Sequence, residues 1–210
     1  MATISSDKLI TVKELYYDKL YSVNDIAKEF GVSIHAAYYF MRRHKLKRRN
    51  LMESNWAAFQ KKPLSFSIKE ILSESEQKLK IAAVMLYWGE GYKTGQAKGI
   101  DFANSDPEMV MFFVNFLRLI CRVNESRFRI YLYCYSNQDS KKLISFWSRK
   151  LHVSKKQFIK PYIKESADKK SKNKMQYGLV HVRYNDKKLL MLILEWIEEY
   201  KRIYVRHPSG

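Results

Sequence analysis

The segment "AVMLYWGEG", Ala83 to Gly91, closes an apolar run on a single carboxylate held between two glycines. Ser73 and Ser75 with Glu76 read as a helix start. From Leu79 through Ile81, Ala82, Ala83, Val84, Met85, Leu86, Tyr87 and Trp88 the pattern is apolar on nearly all sides. Such a helix needs its own domain on one side and a second partner on the other. Ala82, Ala83, Leu86 and Gly89 would let a neighbouring helix approach closely. If that neighbour belongs to a second copy of the chain, a two-fold axis runs between them and two copies of Glu90 face each other. A helix C-terminus already presents negative charge, so two desolvated carboxylates there call for a cation. A hard divalent ion such as Mg²⁺ accepts carboxylates, backbone carbonyls and water. Glu90 is therefore the candidate catalytic residue and metal ligand, and Ala83→Arg is expected to give monomers. The plainer alternative makes Glu90 a surface acid paired with Lys93 or Lys80.

A second set of chemistry-bearing residues lies on strand patterns. In "SRFRIYLYCYS", Phe128, Ile130, Leu132 and Cys134 alternate with Arg127, Arg129, Tyr131, Tyr133 and Tyr135. The period of two puts the apolar set on a helix layer and leaves arginines and tyrosines on the other face, suited to phosphates and base edges. "YGLVHVRYN" repeats the scheme, with His181 and Arg183 opposite Val180 and Val182. Lys93 and Lys98 add charge close to Glu90. Between the two strand patterns, Lys141 to Lys174 holds twelve Lys/Arg against two acids. It reads as a helix followed by a flexible, lysine-rich loop, and the lysines from Lys169 to Lys174 equally fit a plain solvated surface.

The third set is N-terminal. In "YSVNDIAKEFGVSIHAAYYFMRRHKLKRR", Ile26 and Ala27 sit on one short helix, Gly31 marks a tight turn, and Ser33 can cap a second helix. Ala37, Phe40 and Met41 are expected to face inward. His35, Tyr38, Tyr39, Arg42 and Arg43, followed by Arg48 and Arg49, remain available to a polyanion. The preceding "TVKELYYDKLYS" supplies a third helix. The arrangement resembles the helix-turn-helix of resolvase-type and regulator proteins over about forty residues. The plain alternative is an αα-hairpin with solvated charges.

The whole composition favours the same partner. The chain has 210 residues with 39 Lys and Arg against 21 acids, a formal charge of +18. Such a surface repels itself unless it meets a polyanion, and nucleic acid leads over an anionic membrane because no basic amphipathic membrane helix is legible. At 46% hydrophobic residues the chain can bury a core. Cys121 and Cys134 stand among apolar neighbours without metal-ligand spacing, as core thiols of a reducing compartment. His35, His44, His152, His181 and His207 show no zinc-ligand spacing. The opening residues lack the apolar region of a secretory signal, and the run around Met85 is too short to span a bilayer. These features point to the cytoplasm.

"AVMLYWGEG" resembles the LAGLIDADG motif of homing endonucleases, whose frequent form ends in an acid between two glycines. "KGIDFANSDPEMVMFFVNFLRLI" is similar to the family's second strand, its turn and its next helix, with Asp106 as cap and Pro107 in the first turn. "DKKLLMLILEWIEEYKRI" fits the closing helix, so the likeness covers roughly residues 78–200. It implies a saddle of antiparallel strands over the DNA major groove, with acids at the ends of paired helices that bind a divalent metal and activate water. Only Glu90 matches a catalytic position. Trp88 and Met85 depart from the acid and the glycine often found there, and a single motif copy requires a homodimer to cut both strands.

The expected chain is thus α/β of the α+β type. It comprises a three-helix helix-turn-helix at 1–50, a linker at 51–75, a LAGLIDADG-like antiparallel saddle with helices on one face at 76–204, and a tail at 205–210. The function expected is sequence-specific double-stranded DNA binding with Mg²⁺-dependent cleavage by a homodimer. The alternative is a transcription regulator that uses the same fold without catalysis. No small-molecule substrate is expected, and no nucleophile arrangement supports a serine recombinase.

Overall fold

The computed structural model describes residues 2–165 and 175–206. The chain divides into two compact units, Met1–Pro63 and Leu64–Gly210. Among the described residues it is a mixed α/β protein with eight α-helices and one four-stranded mixed sheet.

The first unit is built from short capped helices: α1 (Leu9–Lys13, which runs on into a π-turn over Glu14–Asp18), α2 (Val23–Glu29), α3 (Ile34–Arg43) and α4 (Leu51–Lys61). Ser22 and Asp25 form a capping box at the start of α2, and the Ser33 hydroxyl accepts from the Ala36 N–H to start α3. Between them Gly31 takes φ +61°, a left-handed turn that a side chain would strain. Ile26, Ala27, Ala37, Phe40 and Met41 are buried with Val12, Leu15 and Tyr16. The core positions expected in this segment are therefore the ones filled.

Residues 51–61 depart from the expected linker. Asn50 and Glu53 form a second capping box, a local signal strong enough to fold this stretch as α4. From Leu64 onward the expected linker belongs to the second unit, as a strap. Ser67 N–H donates to Cys121 O, Lys69 N–H to Ile120 O and Asn124 N–H to Ser65 O, while Phe66, Ile68 and Leu72 pack on the second core. The scattered apolar residues there mark alternate positions along an extended chain.

The second unit runs α5 (Glu74–Glu90), β1 (Ile100–Asn104), α6 (Pro107–Leu119), β2 (Phe128–Tyr135), α7 (Ser140–Leu151), β3 (Tyr162–Lys164), β4 (Leu179–Tyr184) and α8 (Lys187–Lys201). Ser73 and Glu76 cap α5 reciprocally. Asp106 caps α6 with Pro107 in its first turn. The strand order is β1-β4-β2-β3. The first three strands pair antiparallel, but β3 runs parallel to β2, so the sheet is mixed and not the expected antiparallel one. The reason lies in α7: a helical crossover between neighbouring strands returns the chain in the same direction. Helix α8 passes into a further π-turn over Arg202–Arg206, so helical structure extends past the expected domain end at residue 204.

Ile100, Phe102, Phe128, Ile130, Leu132, Cys134, Val180, Val182 and Tyr184 form the dry face of the sheet and lie in one core with residues of α5, α6, α7 and α8. Trp147 anchors α7 there, fully buried, with its indole N–H donating to Tyr177 O at 2.7 Å. Cys121 and Cys134 are free and buried, and burial pushes the Cys121 thiol up to about 12. The expected lysine run Lys169 to Lys174 lies outside the described residues.

Asp25 couples the α2 cap to α4, since its carboxylate also takes Lys61 Nζ at 2.9 Å. The Ser22 N–H, followed by Lys61, holds the Asp25 carboxyl at about 2. A depressed folded-state value adds stability above the unfolded carboxylate range of ~4 that is lost as pH falls toward 2. Asp25→Asn is expected to flatten the acid limb of a pH-dependent unfolding curve between those values. An unchanged limb would show that the pairing carries no folding energy.

Candidate nucleic-acid interface

The same alternation that dries one side of the sheet leaves the other, among the described residues, outside the core shared with the helices. Arg129, Tyr131, Tyr133 and Tyr135 on β2, His181 and Arg183 on β4, and Asp101 on β1 share this open face. The register sets Asp101 opposite Arg183 and Ala103 opposite His181, and Arg129 opposite Arg183 with Tyr131 opposite His181. Asp101 is the residue the sequence reading missed. Its carboxylate takes His181 Nδ1 at 2.8 Å and the Arg183 Nε–H at 2.7 Å. Burial works to raise this carboxyl, yet the hydrogen bond and charge of His181 and the charge of Arg183 outweigh it and hold it below the usual range. The Arg183 guanidinium lies 4.1 Å over the Tyr131 ring, and Tyr133 packs at 4.8 Å from His181 and 5.3 Å from Tyr162. In the sequence, Asp101 could have been found as the outward residue between inward Ile100 and Phe102.

The two remaining strand arginines behave differently. Arg129 is exposed and its Nη1 donates to the Ser126 and Phe128 carbonyls at 2.8 and 2.7 Å. Arg127 lies in the turn before β2 rather than on it. Its Nη2 donates to Asn185 O at 2.6 Å and its guanidinium stands near the Tyr184 ring.

In the first unit, His35, Tyr38, Tyr39, Arg42 and Arg48 line one open groove of about 810 Å³ beside α3. Arg42 stands 5.8 Å from the Tyr39 ring centroid, and Arg48 stacks on Tyr38 at 4.4 Å. Arg43 is exposed in the last turn of the helix. Arg49 does not join this surface. Its guanidinium stacks on Tyr16 at 4.1 Å and donates to the Tyr16 and Tyr21 carbonyls, while its backbone N–H meets the Tyr16 hydroxyl. Its donors tie the segment after α3 back to the core, which removes it from the expected contact set.

Helix α5 carries Glu90 at its last position. Gly91, which follows, is needed for a local reason: a Cβ there would lie 2.4 Å from the Tyr87 ring. Gly89 meets nothing within 4 Å and faces open space. Ala82 and Ile81 are exposed, and Leu86 and Met85 half-buried. Ala83, in contrast, is fully buried in the core of its own unit, as are Val84 and Tyr87. Ala83 therefore cannot belong to a seam with a second chain; the helical spacing that groups it with Ala82 in the sequence turns it about 100° inward.

Glu90 is exposed, and among the described residues neither Lys80 nor Lys93 pairs with it. Lys80 Nζ sits 4.1 Å over Trp196. Lys93 Nζ donates to Gly91 O at 2.6 Å and reaches Tyr87 O at 3.5 Å. An ammonium thus already occupies the C-terminal carbonyls of α5, where it complements the helix dipole. Among the described residues no three His, Cys, Asp or Glu side chains converge on a common point. One carboxylate beside a lysine does not fit a divalent-ion site within a single chain. Lys98 is exposed on the same connection.

Comparison with protein-family models, curated proteins and solved structures gives no match to this chain.

Two neighbouring alanines test the burial assignment. Ala83→Arg forces a charge and extra volume into a filled core, and a loss of ~3 kcal/mol or more is expected in chemical unfolding. Ala82→Arg, one position along, should leave stability within ~0.5 kcal/mol when both chains are compared at concentrations where they are monomeric. Equal effects would overturn the facing of α5.

Proposed function

We propose that this chain binds double-stranded DNA, using the groove side of α3 in one unit and the open sheet face in the other. The observation that carries the reading is the open face itself. A formal charge of +18 accompanies a sheet side that none of the described helices covers, where arginine, histidine and tyrosine project together. Such groups serve phosphate oxygens and base edges. Helices α2 and α3, joined at Gly31 with exposed Arg42 and Arg43, fit the helix-turn-helix role, and the second unit fits a LAGLIDADG-like saddle with one parallel edge strand added. A second copy of the chain covers the outer stripe of α5, where Ile81, Ala82 and Gly89 are open.

Of the two activities such a surface can serve, binding without cleavage is favoured by Lys93, whose ammonium takes the carbonyls beside Glu90. The endonuclease reading stands second, and it has its own support: Glu90 is exposed and, among the described residues, unpaired, as a residue shared across a two-fold pair would be.

Binding to a duplex should weaken by orders of magnitude between ~50 and ~200 mM salt, since many phosphate contacts release many counterions. A flat response would remove the nucleic-acid reading. Ala82→Arg should turn a dimer into a folded monomer in light scattering, and a wild-type monomer on DNA would end the pairing proposal. Incubating the bound duplex with Mg²⁺ or Mn²⁺ separates the two activities. No nicking is expected for a regulator, whereas nicking that Glu90→Gln abolishes without loss of binding would establish the endonuclease.

A further inference from the structure

A carboxylate at the centre of a surface that meets a polyanion lowers affinity, so Asp101 needs a reason to be there. Its side chain is 17% exposed and bonded through both oxygens, one to His181 Nδ1 and one to Arg183 Nε. Arg183 is thereby held on three sides: its Nε edge by Asp101, its plane by the Tyr131 ring at 4.1 Å, and its backbone by strand pairing on both flanks. The terminal Nη1 and Nη2 have no carboxylate or carbonyl partner among the described residues, and the Tyr131 hydroxyl is the one further polar group that acts on the guanidinium there.

Resting on the duplex-binding reading above, we propose that Arg183 is a guanine-reading side chain and Asp101 its positioning residue. A guanidinium whose Nε is fixed presents its two terminal nitrogens as a rigid donor fork. Guanine offers the matching pair of acceptors, O6 and N7, on its major-groove edge. Adenine places a donor amino group where O6 stands, so it loses one bond and meets a clash of donors. A phosphate contact would be served better by an arginine with no acid beside it. Arg129 is that arginine: it lies directly across from Arg183 in the ladder, pairs with no carboxylate among the described residues, and is exposed. The two arginines thus divide the work, one to base and one to backbone. His181, two residues from Arg183 on the same strand face, is turned by Asp101 so that Nε2 is the ring nitrogen left for a ligand.

The test is selection of bound sequences from a randomised duplex pool with the full chain, followed by affinities for the selected and scrambled duplexes. The wild type should enrich guanine at a fixed position, by on the order of tenfold over the other bases. Arg183→Met keeps the length of the stem but has no donor for O6 or N7, so the guanine preference should vanish at that position alone. Asp101→Asn should reduce the same preference while binding to scrambled duplex holds or tightens, a change of opposite sign that mere loss of structure would not produce. Arg129→Ala should weaken all sequences alike, keep the selected motif and lower the salt slope by about one. Thermal unfolding of each variant shows that the fold is kept. A motif unchanged by Arg183→Met, with only a uniform loss of affinity, overturns the inference while leaving duplex binding intact. Absence of any duplex binding by the wild type overturns the underlying reading and this one with it.

Discussion

A single alternation governs the second unit: along β2, and along β4 from Val180, buried side chains alternate with polar or aromatic ones on the other face. Burying the apolar set beneath α5, α6, α7 and α8 removes large side chains such as Phe102, Phe128 and Tyr184 from water, at about 25 cal/mol for each Å² of apolar surface. A one-residue slip in either strand would exchange the faces entirely. The register is therefore fixed by the core, and the composition of the open face follows from it. The residues that would contact a ligand are placed by residues that never could.

The open face is more than a basic patch. Cross-strand pairing brings Asp101, Arg183 and Arg129 into one row, and the single acid in that row decides what its neighbours can do. Half-burial strengthens the ion pair beyond what a surface pair contributes, and Tyr131 supplies a floor for the guanidinium. Arg129 has no such partner and stays an ordinary exposed cation. Two arginines opposite one another in a sheet thus acquire different chemistry from the strand beyond.

Helix α5 is divided in the same manner. Its inner side, with Ala83, Val84 and Tyr87, is core; its outer side keeps Ile81, Ala82 and Gly89 in the open. The end of the helix is crowded by Tyr87, whose ring excludes any side chain at residue 91 and whose hydroxyl donates to Tyr92 O at 3.0 Å. Lys93 then folds back to donate to Gly91 O. The Gly-Glu-Gly sequence has a local steric reason at its second glycine and none within the chain at its first.

The sequence by itself determined what nearest neighbours and period can determine. The Gly31 turn between α2 and α3 with its Ser33 cap, the inward set Ala37, Phe40 and Met41, the Asp106 cap and the faces of β2 and β4 were all legible, because caps, turns and alternation act over two to four residues. Helix α4 was equally local, and its Asn50–Glu53 capping box was simply not read. Other features depend on which distant segments meet. Whether Ala83 or Ala82 faces outward is a matter of which side of α5 the other helices cover. The parallel edge strand follows from the path of α7, and Arg49 is withdrawn from the surface because Tyr16 and Tyr21 lie within reach of its fork. The Asp101 cluster joins positions eighty residues apart. Only tertiary structure decided these, since the energy of a pair depends on distance and burial, and neither is a property of sequence spacing.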